Sequence, residues 1–108
     1  MLAAFSITPL GTPLGTPLGT GESVGAAVAE AVRLVRESGL PNETNAMFTN
    51  VEGGWDEVMA LIRACVDRVG ELAPRVSVVI KLDLRPGHDH ALTSKVERVE
   101  RLLATPDE

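Results

Sequence analysis

The sequence predicts an α+β fold in which helices cover one face of a small sheet. Two patterns carry that prediction. Arg75 to Arg85 alternates apolar and polar residues, as a strand with one buried face does. Val58 to Leu72 repeats apolar residues at the i, i+3, i+4, i+7 spacing of an amphipathic helix. A third observation extends them: helical and strand-like segments take turns along the chain, so the long helices connect strands.

Leu2 to Thr8 reads as the first strand, with Ala3, Phe5 and Ile7 on one face. Thr8-Pro9-Leu10-Gly11 then recurs at Thr12 and at Thr16, with a period of four residues. That period is far below the roughly 20–50 residues of a solenoid repeat. Pro at the second turn position and Gly at the fourth suit type I turns, and each Pro removes a backbone donor. Residues 9–22 are therefore expected to form a loop of tandem turns, an expansion that closure entropy tolerates.

A first helix is expected from an N-cap at Ser23, with Val24, Val28, Ala31, Val32 and Val35 as its apolar stripe. Gly39 and Pro41 end it. Asn42 to Val51 contains Thr44, Phe48, Thr49 and Val51, enough for one long strand or two short ones around a reversal. The second helix has Asp56 and Glu57 in its first turn, where the helix dipole favours negative charge. The strand Arg75–Arg85 puts Val76, Val78, Ile80, Leu82 and Leu84 on one face. Thr93 or Ser94 is expected to cap a third helix, Ser94 and Glu97 having capping-box spacing, with Val96, Val99 and Leu103 as its stripe. Residues 105–108 read as a tail, and residues 1–108 as a single domain. If the middle segment is a hairpin, the order is βαββαβ, the ferredoxin-like arrangement, with one extra helix.

The composition excludes several function classes. Ten basic and 15 acidic residues give a formal charge of −5, which disfavours a phosphate-binding surface. Aromatic residues make up 3% of the chain, too few for a base-stacking platform, so no nucleic-acid partner is expected. The lone cysteine, Cys65, excludes an internal disulfide and a cysteine-rich zinc site; it reads as a buried thiol in a reducing compartment. No apolar run approaches the ~18 residues of a membrane span, and Met1 to Ile7 lacks the basic start of a signal peptide. A cytoplasmic protein without a membrane partner is expected.

Strand parity gives the sheet face turned away from the helices: Leu2, Ala4, Ser6 and Thr8, with Ser77, Val79, Lys81, Asp83 and Arg85. Leu2, Ala4 and Val79 form an apolar patch of the kind that marks an interface. The polar set beside it could bind a ligand or could be a solvated face with a salt bridge. His88-Asp89-His90 offers two imidazoles and a carboxylate, but no fourth metal ligand has suitable spacing. Gly19 to Gly25 resembles a glycine-rich loop opening a helix, yet lacks the Lys-Ser/Thr ending of a P-loop.

Several segments together resemble the small thiamine-binding proteins, the YkoF-like group. They are Phe5-Ser6-Ile7-Thr8-Pro9-Leu10-Gly11, Gly21-Glu22-Ser23-Val24, Met47 to Gly53 followed by Trp55-Asp56-Glu57-Val58, Asp83-Leu84-Arg85, and Leu92 to Glu97. The triple repeat departs from the family's single Thr-Pro-Leu-Gly turn. The resemblance implies a ferredoxin-like fold, a homodimer or homotetramer, and non-catalytic binding of thiamine or its hydroxymethylpyrimidine half, with no further cofactor. Thiamine joins an aminopyrimidine to a permanently cationic thiazolium. Asp83 is the expected counter-ion, oriented by Arg85. Ser6, Ser23 and Thr49 are expected to supply hydroxyls, and Met47 a soft wall.

Two competing readings stand beside it. An oligomeric structural or regulatory protein would need no ligand. An acylphosphatase-like hydrolase would need an Arg in the loop after the first strand, and no Arg precedes Arg33.

Overall fold

The structure, a computed structural model, describes residues 1–11, 21–87 and 90–104, leaving aside the side chains of residues 21–23. The elements in order are β1 (Leu2–Leu10), α1 (Gly21–Glu37), β2 (Asn42–Thr44), β3 (Thr49–Glu52), α2 (Trp55–Leu72), β4 (Arg75–Asp83) and α3 (Ala91–Ala104). The strands form one antiparallel sheet in the order β2-β3-β1-β4. That order is the ferredoxin-like βαββαβ arrangement, with α3 as the extra C-terminal helix.

The middle segment is a hairpin because Asn45 turns the chain. Its side-chain oxygen accepts the N–H groups of Met47 and Phe48, both at 2.9 Å, and its own N–H donates to the Phe48 carbonyl at 3.0 Å. A side chain that mimics a backbone turn is the usual reason for Asn at such a point.

The core lies between the sheet and the two long helices. Ala3 and Phe5 of β1 and Val51 of β3 face Val35 of α1 and Val58, Ile62, Cys65 and Val69 of α2. The α2 stripe is the one its periodicity predicts. On α1 the buried line is Ala27, Ala31 and Val35, with Val28 and Val32 only half-buried beside it. The small alanines suit close approach of the helices, and the Cys65 Sγ donates to the Ala31 carbonyl at 3.4 Å. Burial pushes the Cys65 thiol up to about 11.

Several boundaries differ from expectation. β1 continues through Pro9 and Leu10, which pair with Val76 and Arg75 of β4. β3 accompanies β1 only from Leu2 to Phe5, so Pro9 sits where no described strand pairs with one side of β1 and a proline is tolerated. Gly11 follows at φ +90. α1 begins at Gly21, which puts Ser23 in its first turn instead of at its cap. β4 stops at Asp83, so Arg85 follows the strand and is exposed. The tandem turns from Thr12 to Thr20, together with His88, Asp89 and the tail 105–108, lie outside the described residues.

The largest difference concerns α3. It begins at Ala91, three residues before Ser94, and no residue of it is buried. Its cap comes from the sheet: the Ala91 N–H donates to the Glu52 carboxylate at 2.6 Å, across 39 residues of sequence. Lys95 adds a 2.6 Å ion pair with Asp83. Glu52 and Asp83 are both cross-strand neighbours of Leu2, on the face opposite the core. The start of α3 therefore roofs one end of the face that parity leaves bare.

Candidate functional site

Two concavities hold the residues singled out from the sequence. The first is a cleft on the open face, beneath the start of α3. Leu2 forms its floor, and Glu52, Asp83, Arg85 and Lys95 line it around about 180 Å³. It runs on along the sheet past Ala4, Asn50 and Lys81. Glu52 is 9% exposed, its burial offset by the helix N-terminus it caps. The hydrogen bond from Lys95 holds the Asp83 carboxyl below its ordinary range, with weaker help from Arg85 and Lys81. Arg85 thus acts on Asp83 only through longer-range attraction; the direct partner is Lys95.

The second concavity is a groove of about 230 Å³ on the other side of the hairpin. It opens where β3 leaves β1. Among the described residues no strand lies beside Ser6 to Thr8 on that edge. The α1 side is lined by Val28 and Val32, and the hairpin side by Asn45, Met47, Phe48 and Thr49. Thr49 stands opposite Phe5, so it belongs to the helix-facing side of the sheet. Met47 lies in the turn and is 74% exposed.

The structure thus brings Ser6, Met47 and Thr49 together in the groove, and Asp83 and Arg85 together in the cleft. It does not join the two sets within one chain. Asp83 is level with Leu2, and Ser6 lies four residue steps along β1 from Leu2, about 13 Å at ~3.3 Å per residue. The Ser23 side chain lies outside the described residues. Sequence reasoning missed Glu52 and Lys95. Glu52 stands out only within the Met47–Gly53 resemblance. Lys95 carries no local signal, because its partner is on another element.

Among the described residues no three His, Cys, Asp or Glu side chains are placed to hold a metal ion. His90 is exposed and its carbonyl receives the N–H groups of Thr93 and Ser94. No helix among the described residues is long and apolar enough to cross a membrane.

Sheet order, hairpin and roofed open face define a ferredoxin-like α+β protein with an extra C-terminal helix. The chain belongs to the thiamine-binding protein family, whose model matches residues 3–100. It is 54% identical to a UPF0045 protein of Mycobacterium bovis, over 99% of this chain and 98% of that one. Among solved structures, a hypothetical protein from Methanocaldococcus jannascii superposes with a TM-score of 0.75 at 27% identity, covering 92% of this chain and 94% of its own. A candidate thiamine biosynthesis/salvage protein of Thermotoga maritima has the same fold at a TM-score of 0.74 and 16% identity, covering 91% and 96%.

Proposed function

We propose that the protein binds thiamine or its hydroxymethylpyrimidine half, without chemical turnover, in the cytoplasm and as a homo-oligomer. The groove at the edge of β1 that no described strand covers carries this reading. An aminopyrimidine is flat, apolar on both faces, and has a donor beside an acceptor along one edge. A strand edge without a neighbour offers N–H and C=O groups in alternation, which complements such a ring edge. Val28 and Val32 on one side and Phe48 and Met47 on the other supply apolar walls. The Thr49 hydroxyl, with Ser6 and Ser23, would complete the polar contacts.

The thiazolium needs a different environment. The Lys95 hydrogen bond holds the Asp83 carboxyl below its ordinary range, and Asp83 is our choice of counter-ion. Its separation from the groove means that it meets the cation of a ligand held between copies, where a second chain covers the open face around Val79.

Titration calorimetry with thiamine and with hydroxymethylpyrimidine separates these roles. A neutral hydrogen bond contributes about 0.5–1.5 kcal/mol, so Thr49→Val should weaken both ligands by roughly two- to tenfold. Asp83→Asn should weaken thiamine by about ten- to a hundredfold, since bonds to charged groups are worth about 1.5–3 kcal/mol, and should spare the pyrimidine. Absence of both heat and thermal stabilisation with either ligand would overturn the reading and leave the oligomeric scaffold in its place.

A further inference from the structure

The whole chain carries a formal charge of −5, but the cleft beneath α3 has the opposite sign. Lys81, Asp83 and Arg85 alternate along the end of β4 and just past it, and they line the cleft and its continuation together with Glu52 and Lys95. Three cations thus stand against two carboxylates. Both carboxylates are already engaged, Glu52 with the Ala91 N–H and Asp83 with Lys95. Among the described residues neither Lys81 nor Arg85 has an ion-pair partner. Both lie near enough to Asp83 to help hold its carboxyl below the ordinary range. A cleft with an excess of one sign concentrates ions of the other.

The engagement of Asp83 bears on any cationic ligand. A thiazolium reaches the Asp83 carboxylate only by displacing the Lys95 Nζ from its 2.6 Å contact. The freed ammonium stays nearby, because the Glu52 carboxylate still holds the start of α3. The cleft would then hold four positive groups, namely Lys81, Arg85, Lys95 and the thiazolium, against Glu52 and Asp83. Two positive charges are left unmatched. A phosphate monoester carries about −1.5 to −2 at pH 7 and closes that balance, whereas a carboxylate closes only half of it. The cleft proper encloses about 180 Å³. Pockets for whole drug-sized molecules enclose roughly 300–1,000 Å³, so this one suits a single charged group of a larger ligand.

We propose that the cleft binds a phosphoryl group, and that the ligand it selects is thiamine carrying a phosphate monoester on its hydroxyethyl arm. Arg85 takes the phosphate oxygens with its planar fork. Lys95, released from Asp83, and Lys81 add charge around them, while Asp83 faces the thiazolium. Lys95 exchanges one anionic partner for another, so α3 keeps its second tie through the ligand. Unphosphorylated thiamine breaks the Asp83–Lys95 pair and offers Lys95 no replacement. The inference rests on the thiamine reading proposed above, for which it names the form of the ligand.

Titration calorimetry at low ionic strength, with thiamine monophosphate and thiamine side by side, tests it. The monophosphate should bind about ten- to a hundredfold more tightly than thiamine, the range expected for bonds between charged groups. Arg85→Gln and Lys81→Gln should each weaken the monophosphate by about three- to thirtyfold. Each should tighten thiamine, because each removes a positive charge that repels the thiazolium. Lys95→Gln divides the two ligands further: it frees Asp83 for thiamine, which should bind more tightly, and it removes a phosphate contact, so the monophosphate should bind more weakly. All three side chains are exposed, and a melting curve of each variant checks that it folds. Equal affinity for the two ligands, or a monophosphate affinity indifferent to both Arg85 and Lys81, would overturn the phosphoryl site and leave the thiamine reading standing. Absence of binding by both forms of thiamine would overturn it as well, and hydroxymethylpyrimidine, titrated beside them, shows whether the pyrimidine reading survives.

Discussion

Glu52 ties the sheet to α3, and removing its carboxylate should release the helix before it unfolds the protein. The carboxylate accepts the Ala91 N–H at 2.6 Å in a residue only 9% exposed. A hydrogen bond to an ionised group contributes about 1.5–3 kcal/mol, and the favourable charge at the helix N-terminus is included in that range. Water can reach the half-buried Ala91 once the side chain is gone, which favours the lower half of the range, about 2 kcal/mol. No residue of α3 is buried, and a 14-residue helix is marginal on its own. The loss should therefore appear as local opening of α3, by roughly thirtyfold. Hydrogen exchange read by mass spectrometry is the assay. Glu52→Ala should accelerate exchange across Thr93 to Ala104 by about ten- to a hundredfold and leave peptides from β1 and α2 nearly unchanged. Glu52→Gln, which keeps the acceptor but not the charge, should fall between. Unchanged exchange in α3, or equal acceleration in the β1–α2 core, would refute the idea that this carboxylate is the tie.

The second tie is pH-sensitive. Lys95 depresses the Asp83 pKa, so the Asp83–Lys95 contribution is present above the ordinary aspartate range and is lost as pH falls through the lowered value. An NMR titration should find the Asp83 midpoint below that of free aspartate, and Lys95→Met should move it upward. Gly11 has φ +90, and a Cβ there would come within 2.7 Å of Pro74 Cγ. Gly11→Ala should therefore cost about 1–3 kcal/mol in urea unfolding, and a neutral result would show that the turn relaxes freely. The Cys65 thiol, buried and raised to about 11, should resist a thiol reagent at pH 8 until the protein unfolds, whereas rapid labelling of the native state would contradict its packing.

The elements that were legible from the sequence are those whose pattern is local. The alternation in β4 names its faces, and the register pairs Leu2, Ala4, Ser6 and Thr8 with Asp83, Lys81, Val79 and Ser77 as parity requires. The α2 stripe is buried as its periodicity predicts. Ser6, Met47 and Thr49 line one groove, whereas Asp83 and Arg85, expected in the same site, line a separate cleft. The side of Thr49 was not legible, because the length of the Asn45–Phe48 turn sets the parity of β3 and turn length is not a periodic signal.

Sequence by itself determined the alternation of helices and strands, the apolar faces of β1, β4 and α2, and the charge balance, and left open whether the middle segment made one strand or two. These follow from periods of 2 and 3.6 residues and from simple counts. Tertiary structure alone decided that Pro9 can lie in a strand, since that depends on β3 ending its pairing with β1 at Phe5 while β4 continues to Leu10. It also decided that Glu52 caps a helix 39 residues away and that Asp83 pairs with Lys95 instead of Arg85. Capping rules read from sequence look three residues ahead, so Ser94 and Glu97 seemed sufficient. A buried carboxylate seeks whatever donor the fold brings within reach, and only the packing of α3 across the sheet supplies one.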